Sequence, residues 1–490
     1  MMGRTVLALL LGALFHGTAL GAPTLRVEHT KLGAPVYQVR PLAWNGKPAL
    51  MVLTRQEGET PARALLHLLQ SEKSHLRLVS SWPVPSGTIH LEPVRLAGGG
   101  IAFLSWAEGR WSLLTPEGSS LKSVALCPCP DSAAVSRPPD PFQARLAADV
   151  DGDGVDEVLL PQKDFLSVLT LNKPSAPVER WRIDWNESRQ PLSLDEQGKF
   201  QIPELFLVDV NGDGHPEVLM AGPTGFQVAE LHGVAAAAGT ATPVRAYGVP
   251  FQGVEPDGPK DRTFLLGLQD MDGDGVMDAL HARLLNTGNV FKQENRMRWY
   301  RGELQSGKLR LGPPDRTFKT DAGTLALLLH PRTQSRPPLA LMMAFAEVNL
   351  SSVMKALASE SVTLDVRVFA FSRGTLNSAP ETEGQFTYQQ LRKPGRRAMF
   401  LAADLDGEGT RDFLLNTEPE TLTVFLGHNG KTALSGPPAF AAPVPLPSHP
   451  KFITITDLDG TGREVLVISY QEKYHGADAA GALAVVRLKE

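Results

Sequence analysis

Cysteine, positive charge and aromatic residues are all scarce in this sequence, and each scarcity narrows the class of protein. Only two cysteines, Cys127 and Cys129, occur in 490 residues, so disulfide bonds do not hold the fold together. One C-x-C pair also lacks the two further ligands of a structural zinc site, and we interpret it as a surface pair without a catalytic role. The net charge of −5 provides no basic surface for a nucleic acid.

Long apolar runs are confined to the N-terminus of the chain. Arg4 precedes an apolar run from Thr5 to Phe15, and small residues follow it up to Ala22. This pattern is typical of a secretory signal peptide, residues 1–22, and is too short for a membrane span. No later segment predicts a span, so we expect residues 23–490 to form one soluble, monomeric domain that is secreted or periplasmic/extracellular.

Catalytic motifs are missing as well. The sequence contains no H-E-x-x-H, no G-x-S-x-G and no complete phosphate-binding G-x-x-x-x-G-K-[ST] motif. His67, His75 and His90 lie near predicted strands and are interpreted as structural or surface histidines. The sequence therefore favours a protein that is not an enzyme.

An acidic, glycine-rich segment recurs along the chain, and an apolar stretch follows each copy. The copies are DVDGDGVDEVLL at 149, DVNGDGHPEVLM at 209, DMDGDGVMDALH at 270, DLDGEGTRDFLL at 404 and the shortened DLDGTGREVLVI at 457. The third step, from 270 to 404, is about twice the step of 60 residues, which indicates one decayed copy before PPLALMMAFAEV (337–348). LAWNGKPALMVL (42–53) and VRLAGGGIAFLSW (94–106) are two fainter copies.

Each of the eight resulting units contains four short apolar or alternating segments separated by turns. Such a unit is typical of a propeller blade, whose sheet is buried on both faces against its neighbours. The sequence therefore predicts an all-β fold, a β-propeller of four-stranded blades, with eight blades favoured and seven as the alternative. The N-terminal segment TLRVEH is expected to complete the last blade and close the ring.

Three kinds of segment depart from this pattern. Residues 350–361 have helix-forming composition and predict a short helix or lid. Residues 286–298 and 433–449 are interpreted as long connections, and the basic stretch 391–397 as a solvated linker. The aromatic residues Trp181, Trp185, Trp299 and Tyr300 are expected to pack between blades, with sugar stacking as the alternative.

The acidic segments have the composition of a site for a hard cation. In the first four loops, oxygen-bearing side chains occupy positions 1, 3, 5 and 9, glycines at positions 4 and 6 permit a sharp bend, and position 7 offers a carbonyl. This oxygen set suits Ca²⁺ better than zinc or copper, and Mg²⁺ less well because it demands a stricter octahedron. The alternative interpretation is an Asx-type turn that needs no ion.

The closing acid at position 9, followed by a strand, resembles the FG-GAP/VCBS repeats of integrin alpha-like propellers. The resemblance covers residues 140–285 and 395–490 well, and it implies a calcium-braced β-propeller with about three to four ions. Carried over position by position, it implies four ligand sets: Asp149, Asp151, Asp153, Val155 (carbonyl) and Glu157; Asp209, Asn211, Asp213, His215 (carbonyl) and Glu217; Asp270, Asp272, Asp274, Val276 (carbonyl) and Asp278; Asp404, Asp406, Glu408, Thr410 (carbonyl) and Asp412.

Two of the five loops depart from that ligand pattern, and one further acid lies beside it. Glu408 is one methylene longer than the aspartate of the other copies. In the fifth copy, Thr461 replaces an acid and Glu464 comes one residue early, so that loop is expected to hold no metal. Asp156 is the one acid of the first loop outside the ligand set, and we expect it to face solvent.

Three classes of function remain open at this point. The leading hypothesis is an exported, calcium-braced binding or scaffold protein that recognises a protein or glycan at one propeller face. The alternatives are a carbohydrate-active enzyme, similar to some polysaccharide lyases, or a lectin. The fold alone does not choose among them.

Overall fold

A computed structural model of the chain describes residues 24–489 with interruptions. The residues within that span that are not described are 57–63, 73–74, 87, 108–109, 128–144, 163–164, 174–175, 185–203, 223–224, 235–240, 254–261, 286–293, 321–322, 334–335, 347–349, 373–374, 390–398, 419–420, 429–430, 433, 435–436, 445, 448–451 and 471–480. The predicted signal peptide, Cys129, Trp185 and the basic stretch 391–397 lie outside the described residues.

The described strands form eight four-stranded antiparallel blades arranged as a β-propeller, as predicted. The strands of blades 1 to 4 are, in order, Val36–Trp44, Lys47–Arg55, Ala64–Glu72 and His75–Val84; Thr88–Arg95, Ile101–Ala107, Arg110–Glu117 and Ser120–Cys127; Ala147–Ala148, Glu157–Pro161, Phe165–Thr170 and Val178–Asp184; Glu204–Val208, Glu217–Gly222, Gly225–Ala229 and Tyr247–Pro250.

The second half of the ring follows the same plan. The strands of blades 5 to 8 are Arg262–Gln269, Asp278–Leu285, Glu294–Tyr300 and Arg316–Thr320; Gly323–Thr333, Arg336–Ala346, Ser361–Ser372 and Thr382–Gln389; Phe400–Ala403, Asp412–Glu418, Thr421–Phe425 and Phe440–Pro443; Ile453–Thr456, Val465–Ser469, Ala482–Leu488 and the N-terminal Leu25–Lys31.

A few small elements complete the described structure. Short hairpins project from blade 5 (Gly302–Gln305 with Lys308–Leu311) and blade 7 (Gly427–His428 with Lys431–Thr432), and Thr375–Leu376 extends blade 6. A 3₁₀ turn covers Ala97–Gly99, and the α-helix Leu350–Ser359 confirms the helix predicted in the sixth unit. In the described part of the chain, no helix has the length and apolarity needed to cross a bilayer.

The N-terminal strand closes the ring, as the sequence predicted. Leu25–Lys31 pairs antiparallel with Ala482–Leu488, in a register that runs from Leu25↔Leu488 to Lys31↔Ala482. Flanking backbone bonds extend this pairing, with Leu32 N 2.8 Å from the Gly481 carbonyl oxygen and Lys489 N 2.7 Å from that of Thr24. The last blade is thus built from both ends of the described chain, and the blade count is eight.

The hydrophobic core is divided among the interfaces between adjacent blades. The described core residues fall into eight clusters, and each cluster joins two consecutive blades. One cluster joins blade 8 to blade 1, where Val465 and Val485 accompany Leu50 and Val52. Because both faces of a blade are covered, second strands such as Val465–Ser469 are buried along their whole length.

Two segments that the sequence indicated as connections contain strands instead. Residues 286–298 include most of Glu294–Tyr300, the third strand of blade 5. Here Met297 and Trp299 are buried while Arg296 and Arg298 are half-buried, so buried and partly exposed residues alternate as in a strand. The long charged side chains made this alternation hard to recognise in the sequence. Residues 433–449 include Phe440–Pro443, the outer strand of blade 7, where a terminal proline costs no ladder bond.

The connection between the third and fourth strands of blade 4 takes a path that the sequence did not indicate. The sequence of the segment TPVRAYGV, residues 242–249, is compatible with one continuous strand. The structure divides it, because Thr242–Val244 pairs in parallel with the outer strand of blade 3, whereas Tyr247–Pro250 closes blade 4. Blade 3 therefore has a fifth strand, which comes from the following blade.

Candidate metal centre

The four acidic loops occupy equivalent places in blades 3, 4, 5 and 7. Each loop connects the first strand of its blade to the second, and the acid at position 9 is the first residue of that second strand. The strand pairing is the same in each case, with Ala148↔Glu157, Val208↔Glu217, Gln269↔Asp278 and Ala403↔Asp412 as the last pair before the loop. The loops therefore project from the same end of their blades.

Backbone N–H groups fold each loop around its aspartates. In the first loop, Gly152 N and Gly154 N donate to the Asp149 carboxylate at 2.7 and 2.9 Å, and Asp153 N donates to Asp151 at 3.2 Å. The same bonds to positions 1 and 3 recur in the other three loops. The glycines at positions 4 and 6 have positive φ in all four loops, which explains why glycine recurs there.

The residues at positions 5 and 7 face each other across the end of the loop. In the first three loops, the N–H of Val155, His215 or Val276 donates to the position-5 aspartate at 2.8 to 2.9 Å. In the fourth loop Glu408 has the longer side chain, and its Oε2 lies 3.2 Å from His428 Nδ1. Thr410 occupies position 7 of that loop and is buried.

The acid at position 9 is the most deeply buried of the predicted side-chain ligands in each loop. Glu157, Asp278 and Asp412 are fully buried and Glu217 is 2% exposed. One carboxylate oxygen accepts the N–H of position 2 in every loop: Val150 at 3.1 Å, Val210 at 2.7 Å, Met271 at 3.0 Å and Leu405 at 2.8 Å. The position-9 acid therefore ties the start of the loop to the second strand.

The carboxylates at positions 1, 3 and 9 converge in three of the loops. Among the described residues, oxygens within 4.8 Å of one another come from the triads Asp149, Asp151 and Glu157; Asp270, Asp272 and Asp278; Asp404, Asp406 and Asp412. The position-5 acids Asp153, Asp274 and Glu408 are not part of these triads. These three clusters could hold metal ions.

The second loop is built the same way, but an amide replaces one carboxylate. Asn211 stands at position 3, and its Nδ2 lies 3.2 Å from Asp213 Oδ2 and 3.4 Å from Glu217 Oε1. The predicted side-chain ligands of this loop, Asp209, Asn211, Asp213 and Glu217, are thus brought together with one negative charge fewer than in the first loop.

Burial and mutual repulsion both disfavour negative charge at position 9. Burial, followed by the nearby Asp151, raises the pKa of Glu157 to about 8. Burial also raises the pKa of Glu217, Asp278 and Asp412 to about 7, with neighbouring carboxylates adding to the effect. A cation among these oxygens would reverse this balance, because opposite charge favours the ionised form.

The second oxygen of the position-9 acid distinguishes the blades. In blades 5 and 7, Oδ1 of Asp278 and of Asp412 accepts the N–H of Gly302 at 2.8 Å and of Gly427 at 2.9 Å. Both glycines begin the short projecting hairpins. Glu157 Oε1, in contrast, is buried without a hydrogen-bond partner in the part of the chain that the structure describes.

An oxygen-only donor set with a buried, unpartnered carboxylate oxygen fits a hard divalent cation. A buried carboxylate oxygen without a donor is costly unless another positive group approaches it. The triads offer no nitrogen or sulfur ligand, which excludes the sets that zinc and copper prefer. The residues present in the loops therefore fit the ion that the sequence indicated.

Arginines supply part of the counter-charge in two of the loops. Arg180 forms an ion pair with Asp151 in blade 3. In blade 5, Arg301 lies 3.2 Å from Asp272 Oδ2 and 2.8 Å from Asp274 Oδ2. Each of these two loops still carries four acidic groups at its ligand positions, so one arginine does not neutralise it.

Asp156 does not face solvent, contrary to the sequence-based expectation. It is 6% exposed, and its carboxylate accepts the backbone N–H of Arg95 at 2.7 Å and pairs with the Arg95 guanidinium, also at 2.7 Å. The peptide N–H of Asp156 donates in return to the Arg95 carbonyl oxygen at 3.0 Å. Position 8 points toward the preceding blade, so Asp156 clamps blade 2 to blade 3.

The fifth loop, in blade 8, retains the turn and uses its acids elsewhere. Asp457 accepts the N–H groups of Gly460 and Gly462 at 2.8 and 2.7 Å, as position 1 does in the other loops. Glu464 stands at position 8 and, like Asp156, reaches the preceding blade, where it accepts Asp404 N at 2.9 Å and pairs with Arg411. Position 9 is Val465.

The remaining polar and aromatic candidates are structural. Trp181, Trp299 and Tyr300 are fully buried, which confirms packing between blades for these three residues. His67 is buried between Thr54 Oγ1 at 2.9 Å and Ser81 Oγ at 3.1 Å. His90 is buried 3.3 Å from Glu92, and His75 is exposed.

Sequence reasoning missed the residues through which the loops touch the rest of the ring. Arg95, Gly302 and Gly427 each bond to a loop acid from outside the repeat motif. The one available signal was the aspartate at position 9 in blades 5 and 7. In both blades this aspartate accepts the N–H of a glycine that begins a short hairpin. Blades 3 and 4 have glutamate at position 9, and their described residues include no such bond to a hairpin glycine.

No protein-family model matches the sequence, and no curated protein matches it either. Among solved structures, the chain is similar to a crystal structure of a protein from Lactobacillus plantarum, with 13% sequence identity and a TM-score of 0.33. The similarity covers 78% of this chain and 92% of that protein. A TM-score this low carries no argument about the function of the present chain.

Proposed function

We propose that this protein is an exported, calcium-binding β-propeller of the FG-GAP/VCBS type that acts as a non-enzymatic binding or scaffold protein. One observation carries the calcium assignment: Glu157 Oε1 is buried beside Asp149 and Asp151 and has no hydrogen-bond partner among the described residues. An ionised carboxylate in that position is strongly disfavoured unless a cation joins it.

Calcium is the divalent ion that these loops suit best. Ca²⁺ takes six to eight oxygen ligands in a flexible geometry, whereas Mg²⁺ requires a near-ideal octahedron and retains water. Positions 1, 3, 5, 7 and 9 can each supply one oxygen ligand, and a carboxylate that binds through both of its oxygens supplies a sixth. When bound, calcium would supply the positive charge that offsets the clustered carboxylates.

The bonds within the loop support a structural role for the ion. Asp149 already holds the N–H groups of positions 4 and 6, and Glu157 holds that of position 2, so each oxygen set joins the loop to both flanking strands. Neutralising this set stabilises the connection between the first and second strands of the blade.

The scaffold role is favoured over the lectin role by where the aromatic residues lie. Trp181, Trp299 and Tyr300 are buried between blades and present no face on which a sugar could stack. We therefore propose that the partner, a protein or a glycan, is bound by polar loops at one propeller face.

Calorimetric titration of the purified chain with calcium tests the proposal. We expect three to four ions to bind with a dissociation constant on the order of 10⁻⁴–10⁻³ M, as in extracellular modules. A variant with Glu157→Gln, Glu217→Gln, Asp278→Asn and Asp412→Asn is expected to bind none of them. Equal calcium uptake by both proteins, or no uptake by either, would contradict the assignment.

Two further measurements separate the remaining parts of the proposal. A reporter fused behind residues 1–22 should be exported and cleaved, and retention of the reporter in the cytoplasm would contradict export. The protein should cleave none of the sugars of a glycan array and none of a panel of acidic polysaccharides. Cleavage of any polysaccharide would replace the scaffold role with an enzymatic one.

A further inference from the structure

The candidate loops fall into two groups around the ring. Blades 3, 4 and 5 are consecutive, so each of their loops has a candidate loop as its neighbour, whereas blade 6 separates blade 7 from them. The turn between the first two strands of blade 6, around TQSR at 333–336, contains no acidic residue. On the other side of blade 7 stands the fifth loop, which has Val465 at position 9.

Neighbouring loops are packed against each other at the glycine of position 4. A β-carbon on Gly212 in blade 4 would lie 2.4 Å from the carbonyl oxygen of Gly275 in blade 5. A β-carbon on Gly152 in blade 3 would lie 2.3 Å from Cε1 of His215 in blade 4. In both cases a residue of one candidate loop packs directly against the position-4 glycine of the neighbouring loop.

Hydrogen bonds also connect the buried acids of blades 4 and 5. Glu217 accepts the N–H of Val210 at 2.7 Å, and the Val210 carbonyl oxygen accepts the N–H of Met277 at 3.2 Å. Met277 immediately precedes Asp278, the position-9 acid of the next blade. Two residues, Val210 and Met277, therefore connect one predicted ligand, Glu217, to its counterpart, Asp278.

Blades 3 and 4 are joined by a different set of side chains. His232 Nδ1 lies 3.1 Å from the carbonyl oxygen of Asp151, and its ring stacks on that of His215 with centroids 3.8 Å apart. Asp151 is a predicted ligand of the first site, and His215 supplies the predicted carbonyl ligand of the second. These two contacts connect the first loop to the second.

We propose that the three cation sites of blades 3, 4 and 5 bind cooperatively, each filled site raising the affinity of its neighbour, while the site of blade 7 binds independently. This inference rests on the proposed function. Ordering one loop fixes the backbone against which the next loop packs, so the second ion meets a smaller ordering cost.

Two proteins that retain two sites each compare neighbours with non-neighbours. The first carries Asp149→Ala and Asp404→Ala and keeps the sites of blades 4 and 5. The second carries Asp149→Ala and Asp270→Ala and keeps those of blades 4 and 7. In calcium titrations we expect the neighbouring pair to bind its second ion roughly fivefold more tightly or better, the lower end of typical coupling. Independent binding by the neighbouring pair, or equal cooperativity in both proteins, would overturn the inference.

Two glycine variants in the neighbouring-pair protein test the contact itself. Gly212 and Gly214 both have left-handed backbone, with φ of 76° and 89°, but a β-carbon on Gly214 meets nothing within 4 Å. Gly212→Ala should therefore abolish the coupling, whereas Gly214→Ala should weaken the site of blade 4 and keep the coupling. Coupling that survives Gly212→Ala contradicts the proposed route.

The outcomes distinguish this inference from the function on which it rests. If the neighbouring-pair protein binds two ions independently, the cooperative inference fails and calcium binding stands. If no protein of the series takes up calcium, the proposed function fails, and the cooperative inference fails with it. Circular dichroism of each variant confirms that the propeller is folded before it is titrated.

Discussion

Blades 3, 4, 5 and 7 differ from blades 1 and 2 in how the first strand turns into the second. Blade 1 makes this turn with only Asn45 and Gly46, both at positive φ, and blade 2 does so with a short 3₁₀ turn closed by Leu96 N on the Gly100 carbonyl oxygen at 2.8 Å. The other four use acidic loops with a fully or almost fully buried carboxylate. The same blade architecture therefore forms without the acids, which indicates that the acids serve a purpose beyond the turn.

Blade 8 is an intermediate case that separates the turn from the site. Its loop keeps Asp457 and the bonds to Gly460 and Gly462, yet Val465 replaces the buried acid of position 9. An aspartate at position 1 and two glycines are thus sufficient to build the turn. The acid at position 9 is the feature that distinguishes the candidate cation sites from the loop of blade 8.

Removal of calcium should destabilise the blades that have an acidic loop and leave blade 1 unchanged. At calcium concentrations tenfold above the dissociation constant, each site contributes about 1.4 kcal/mol to the free energy of unfolding, or about 6 kcal/mol for four sites. Thermal unfolding with and without a chelator measures the loss. Hydrogen exchange should quicken at 149–157, 209–217, 270–278 and 404–412 and stay unchanged at Asn45 and Gly46. Equal changes in both regions would remove the distinction between the blades.

Glu157→Gln should change the sign of its effect with calcium. In calcium the variant loses one site and about 1.4 kcal/mol of stability at tenfold excess. In chelator it should be more stable than the parent, because a neutral amide replaces a buried carboxylate among other carboxylates. Chemical denaturation under the two conditions tests this reversal. A loss of equal size under both conditions would show that Glu157 has only a structural role.

Asp156→Asn, at the residue next to Glu157, is the control for Glu157→Gln. The exchange removes the ion pair with Arg95 and weakens the bond to its backbone N–H, so we expect a loss of about 2 kcal/mol of stability. Because Asp156 clamps blade 2 and is outside the triad, the loss should be the same in calcium and in chelator. A calcium-dependent loss would place Asp156 in the metal site.

Asp459→Asn in blade 8 should have the smallest effect. Asp459 pairs with Arg487 and accepts the hydroxyl of Ser71 from blade 1, in a partly exposed position at the ring closure. Partly exposed pairs contribute roughly 0.5–1 kcal/mol, and this one should not depend on calcium. Asp151→Asn, the equivalent exchange in blade 3, should lower calcium affinity. Equal calcium dependence of the two variants would contradict the division between the loops.

The blade count and the closure of the ring were predictable because the repeat itself carries them. Four loops with the same internal order of acids and glycines locate the first two strands of four blades. The additional segment TLRVEH indicates the closing strand. The sequence left seven blades open, since blades 1, 2 and 6 retain only faint copies. The eight blades that the structure shows remove that alternative.

The errors arose where tertiary contacts override local composition. The charged strand Glu294–Tyr300 resembled a linker because its arginines alternate with buried Met297 and Trp299. Asp156 resembled a surface residue because its partner, Arg95, lies 61 residues earlier in the chain. A pairing over that distance has no local signal in a single sequence.

The ligand sets were predictable in their membership more than in their geometry. Positions 1, 3 and 9 do converge in three loops, but the position-5 acids lie outside those triads. The length of Glu408 was noted from the sequence, whereas its contact with His428, which comes after the third strand, was not. Contacts between neighbouring loops also depend on the arrangement of blades around the ring, which spacing along the chain does not contain.

Anomalous scattering from crystals grown in millimolar calcium tests the central claim most directly. The account predicts anomalous peaks in the loops of blades 3, 4, 5 and 7, each about 2.3–2.6 Å from its carboxylate oxygens, and none in the loop of blade 8. Ordered loops without such peaks, with Arg180 and Arg301 still paired to the aspartates, would contradict it.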